Sequence, residues 1–144
     1  MKDAAILAPA AVLVLWTTIM FGWLAYARLS AVKKSGADLS KSPPGGRGQD
    51  IDPMLPESAR WPSHNYTHLL EQPTIFYAVV LILAVGGGVT QVAVALAWAY
   101  TALRIVHSLW QVLVNTIPVR FTLFLLSTFC LIALAVLAVI LTLG

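Results

Sequence analysis

Long uncharged apolar runs, separated by one polar stretch and two short breaks, organise this chain. The first run covers residues 4–27. At 1.5 Å per residue it would reach about 36 Å as a helix, enough to cross a hydrocarbon core of about 30 Å. Ala25-Tyr26-Ala27 has the look of a signal-peptidase site. The run is too long for a signal peptide, however, and Asp3 offsets Lys2 while Arg28, Lys33 and Lys34 follow as a stop. A retained helix over about 4–28 is expected.

From residue 30 to about 62 the pattern vanishes. Lys33-Lys34-Ser35-Gly36, Ser42-Pro43-Pro44-Gly45-Gly46 and Asp50-Ile51-Asp52-Pro53 are rich in turn and breaker residues, which reads as a polar loop. The next uncharged stretch, 72–103, would make a helix of about 48 Å, too long for one ordinary span. Gly86-Gly87-Gly88 lies near its centre, and three glycines are costly inside a helix. Two helices joined by a tight turn are expected, over about 63–85 and 89–110. After the break Asn115-Thr116-Ile117-Pro118, Pro118 suits the start of a last helix over about 118–143.

Composition agrees with this reading. The 144 residues are 59% hydrophobic and 10% charged, and mean hydropathy is +0.83. A soluble domain carries about 25% charged residues. The expected fold class is therefore an all-α membrane protein, one domain over 1–144 built as a four-helix transmembrane bundle in a lipid bilayer. The single cysteine, Cys130, excludes an internal disulfide and reads as a small buried hydrophobe. The net charge of +3 points to topology, not to nucleic acid. Arg28, Lys33, Lys34, Lys41, Arg47 and Arg60 fall in or beside the long loop, and Arg104 and Arg120 flank the second connection. Four spans put all eight on one side, which the positive-inside rule makes cytoplasmic. His64, His68 and His107 lack metal-like spacing, so no metal site is expected.

Polar residues inside the spans carry the chemistry. Counted from the glycine turn, Glu71 and Arg104 lie at about the same depth, some 23 Å from it. His68 and His107 lie one turn further out, and Asn65 and Gln111 one turn beyond those. Ionisable groups at such depth face the bundle interior or a wet cavity, and they pair. A Glu71–Arg104 contact is expected, either as a structural ion pair or as part of a site.

The segment His68-Leu69-Leu70-Glu71-Gln72-Pro73-Thr74-Ile75-Phe76-Tyr77 resembles the second-helix signature of the MAPEG family, the membrane-associated proteins in eicosanoid and glutathione metabolism. Ala97-Trp98, Arg104-Ile105-Val106-His107-Ser108, Asn115 and Arg120-Phe121 resemble the third helix and fourth-helix entry of bacterial members. The resemblance spans roughly residues 60–143. It implies a trimer with glutathione bound between subunits near the cytoplasmic face, in a bacterial inner membrane. It also implies transfer of the glutathione thiol to lipophilic electrophiles, or reduction of hydroperoxides.

On that resemblance Arg120 is assigned to thiolate stabilisation, and Arg60, Asn65, His68, Glu71, Arg104 and His107 to glutathione binding. Guanidinium forks suit the two carboxylates, Glu71 suits the ammonium, and a cation at a helix N-terminus favours thiolate. An apolar groove would admit a lipophilic small molecule from the membrane. The sequence departs from the family in three places. His68 stands where asparagine is usual, and His107 and Gln111 stand where glutathione-using members carry tyrosines. Arg120 is offset by about two residues from the arginine credited with thiolate formation in the animal enzymes. The alternative is a non-catalytic structural or scaffold subunit of a membrane assembly, with a hetero-partner the sequence does not identify.

Overall fold

A computed structural model describes residues 2–36 and 44–144. After a short 3-10 helix, Lys2–Ile6, the chain forms α1 (Leu7–Ser35), α2 (Glu57–Val85), α3 (Gln91–Leu113) and α4 (Ile117–Leu143), with a second 3-10 helix, Gly48–Met54, before α2. All four α-helices are long and apolar enough to cross a membrane. Their outer faces carry Leu15, Ile19 and Phe21 on α1, and Phe129, Ile132 and Ile140 on α4. An apolar surface that continuous belongs in lipid, and the protein is an integral membrane helical bundle.

Two helices run further into the loop than the apolar pattern implies. α1 continues past Arg28 to Ser35 and ends where Gly36 adopts φ 67°. Charged residues end the apolar run, but Arg, Leu, Ala and Lys are good helix formers, so the helix continues until a glycine stops it. α2 begins at Glu57 and includes Pro62 and Pro73, each of which costs a backbone hydrogen bond without ending the helix. Lys41 and the Ser42-Pro43 part of the loop lie outside the described residues.

The glycine triplet closes the α2–α3 hairpin. Gly87 has φ 70°, and the Gly88 amide donates to the Leu83 carbonyl at 3.0 Å. That bond and the left-handed glycine are those of a Schellman termination. Gly86 and Gly88 serve a second purpose. A Cβ on either would lie within 2.7 Å or 2.5 Å of Leu141 of α4, so the triplet lets α4 pack onto the turn. Thr90 then caps α3 by accepting from the Ala93 amide at 3.1 Å.

Interhelical hydrogen bonds fix the directions. Thr101 donates to the Pro9 carbonyl and Trp16 to Ser108, both across 92 residues, so α1 and α3 run parallel. Asn65–Ser108, Arg104–His68 and Tyr100–Gln72 step oppositely along the two chains, so α2 is antiparallel to α3. The N-terminus, the glycine turn and the end of α4 therefore share one end of the bundle. The long loop and the Asn115 connection share the other. The core between them is apolar, with Leu13, Met20, Leu69, Phe76, Leu83 and Leu134 buried.

Candidate functional site

At the loop end, the α2, α3 and α4 helices enclose a pocket of about 210 Å³ lined by His68, His107, Ile117, Arg120, Phe121 and Phe124. Each helix delivers its residues by register. On α3, Arg104, His107 and Gln111 recur at three and four residues and all are buried. On α4, Ile117, Arg120, Phe121 and Phe124 recur at the same spacing, which gathers them on one face.

His68 is held on three sides. Its Nδ1 lies 2.9 Å from Glu71 Oε2, its ring stacks on Phe124 at 5.5 Å and 29°, and the His107 ring tilts against it at 5.0 Å. The level placement of the two histidines expected from the sequence is therefore realised. Arg104 has no exposed surface. Its Nη2 donates to the His68 carbonyl at 2.9 Å, and its guanidinium carbon sits 5.8 Å from the Phe124 ring centre. Nε and Nη1 of Arg104 have no hydrogen-bond partner among the described residues.

The expected Glu71–Arg104 contact is not formed among the described residues, where Glu71 bonds His68 and Arg104 bonds the His68 carbonyl. Rise along the helix gives depth alone. The buried face of α2 carries Asn65, Leu69, Phe76 and Leu83. Glu71 lies two residues beyond Leu69, about 200° further round the helix. Its side chain is accordingly 61% exposed and faces out of the bundle.

Arg120 lies in the first turn of α4, where Nη1 donates to Asn115 Oδ1 at 2.5 Å and Nε has no partner. Asn115 can orient it because it ends α3 at φ 61°, a left-handed conformation that asparagine tolerates. The other two expected site residues are elsewhere. Asn65 is 1% exposed and donates to Ser108 at 2.7 Å, in a network completed by Trp16. Arg60 donates to the Leu55 carbonyl at 2.9 Å, tying the start of α2 to the preceding segment. Phe124 and Ile117 went unread in the sequence, although their spacing to Arg120 on α4 carried the signal.

Among the described residues no group of three or more His, Cys, Asp or Glu side chains could hold a metal. Chemically, the pocket offers the Arg120 guanidinium without a carboxylate partner, an imidazole tied to a carboxylate, and two aromatic walls, an arrangement able to receive an anion attached to something partly apolar. Neither a curated protein nor a solved structure matches the chain. The model of the MAPEG family matches residues 6–140, which include every helix that builds the pocket, and the chain belongs to that family.

Proposed function

We propose that the protein is a glutathione-dependent transferase or peroxidase acting on lipophilic electrophiles or hydroperoxides at the α2–α3–α4 pocket. The observation that carries this reading is two arginines with unpartnered buried nitrogens, Arg120 in the pocket lining and Arg104 against the ring of Phe124, which lines it. An unpaired buried guanidinium is costly, and a carboxylate ligand removes the cost. Glutathione brings two carboxylates, and Arg104 holds one. His107 donates a further hydrogen bond. Arg120 stabilises the thiolate, with the α4 N-terminal dipole acting in the same direction.

A homotrimer completes the site. Ligand pockets usually hold at least about 300 Å³, and this one offers about 210 Å³ within a protomer. Glu71 points outward about 21 Å from the start of α2, where a carboxylate facing lipid alone would be expensive. A second copy of the chain would wall the pocket and give Glu71 a polar surrounding. Native mass spectrometry in mild detergent should show trimers, and monomers alone would contradict this. The positive-inside rule puts the loop end in the cytoplasm. A cysteine placed near Gly144 should therefore react only from the other side.

One observation favours the scaffold reading. Asn65 and Arg60, both expected at the ligand, are bonded within the protein instead. A single experiment separates the two readings. Glutathione bound near neutral pH should develop the ultraviolet absorbance of a thiolate, which Arg120→Ala abolishes and Arg104→Ala weakens through binding. No thiolate absorbance, with no thermal shift at millimolar glutathione, would leave the scaffold reading standing.

A further inference from the structure

A thiol that becomes a thiolate must give up a proton, and arginine can stabilise the anion but has no acceptor for that proton. His68 does. Its Nδ1 is engaged by Glu71 Oε2 at 2.9 Å. That leaves Nε2 as the nitrogen available to the pocket that His68 lines, and it carries no hydrogen bond among the described residues. Stacking on Phe124 and contact with His107 fix the ring plane. Nucleophile activation in general needs a base in reach of the reacting group and a third group that orients the base. Glu71 and His68 supply the last two.

We propose that His68, oriented by Glu71, is the base that accepts the glutathione thiol proton, an inference that rests on the glutathione reading above. The proton moves from sulfur to His68 Nε2, and the resulting imidazolium is held by the Glu71 carboxylate. The thiolate sulfur attacks the electrophilic carbon and a C–S bond forms. The electron pair leaves with the displaced group, which takes the proton back from His68. Arg120 holds the sulfur charge between the two transfers. His107 cannot substitute, because it is 2% exposed and has no carboxylate partner among the described residues. The charged and titratable groups around the His68 ring are Glu71 on its own helix, Arg104 and His107 on α3, and Arg120 on α4. Glu71 is the one that favours an imidazolium. It is a positioning residue, and His68 is the catalytic one.

The test follows the proton. Purified protein in lightly buffered detergent is mixed with glutathione while thiolate absorbance and an indicator dye are read together. Wild type should form thiolate while releasing far less than one proton per thiolate, because His68 keeps it. In His68→Gln, any thiolate should appear only at higher pH, with one proton released for each. Its kcat should fall by about 100-fold, with the glutathione KM little changed. Glu71→Gln should show a smaller loss in the same direction. The acid limb of the wild-type pH–rate profile should be absent in His68→Gln. Glu71→Gln leaves the fold alone because Glu71 is exposed, and His68→Gln, at a side chain 25% exposed, is checked by its thermal melt. Full proton release in wild type, or a wild-type kcat in His68→Gln, overturns the base while leaving glutathione chemistry intact. No thiolate and no thermal shift in wild type removes the glutathione reading and the base with it.

Discussion

Arg28 and Arg104 are both taken largely out of water, at two different corners of the bundle, and their surroundings differ. Arg28, on α1, donates to Asp52 at 2.5 Å and to Ser63 at 3.0 Å, so the loop clasps α1 to α2. Its buried Nε has no partner among the described residues. Arg104, on α3, is more deeply buried, yet receives one backbone carbonyl and the face of Phe124. A cation kept for stability is paired with a carboxylate of its own chain. On the proposed reading, a cation left short of partners next to the pocket wall awaits a ligand, which would make the Arg28 corner structural and the Arg104 corner functional.

Substitutions at the two arginines should therefore have opposite signatures. Arg104→Met should weaken glutathione binding most, by about 2–5 kcal/mol, the usual cost of deleting one partner of a buried charge pair. Without glutathione the same variant should melt higher, by about 1–4 kcal/mol, because an uncompensated buried charge has gone. Arg28→Met should do the reverse. It should lower stability by about 2 kcal/mol by stranding Asp52, with glutathione binding unchanged. Thermal melts with and without glutathione read both.

Two smaller effects sharpen the contrast. Asn65→Ala should cost about 1 kcal/mol through the lost Ser108 bond and leave glutathione affinity intact, which assigns Asn65 to the structural side. A loss of affinity would move it to the site. Gly87→Ala should cost about 1 kcal/mol, since alanine is strained at φ 70°. It too should spare binding, because the turn lies at the opposite end of the bundle from the pocket.

The four spans were legible because lipid imposes a blunt rule, about twenty apolar residues per crossing, and Gly86-Gly87-Gly88 marked the hairpin. The ends of α1 and α2 were not. Charge at Arg28 marks where the chain leaves the apolar layer, whereas helix termination waits for Gly36. Pro62 looked like a boundary, yet α2 begins five residues earlier. Within the site, depth could be counted from the turn, which brought His68 level with His107. Azimuth was not counted, so Glu71 was paired with Arg104 although it points about 200° from the buried face of α2. The spacing of Phe124 to Arg120 put both on one face of α4, but which neighbours that face meets depends on how α4 rotates against α2 and α3, a matter of packing.

The most direct measurement is the melting temperature of wild type and Arg104→Met in detergent, side by side, across a glutathione titration. The account predicts that wild type starts lower and rises with glutathione, while Arg104→Met starts higher and stays flat. If Arg104→Met instead starts lower and rises in parallel with wild type, Arg104 is a structural cation like Arg28, and the pocket is not where glutathione binds.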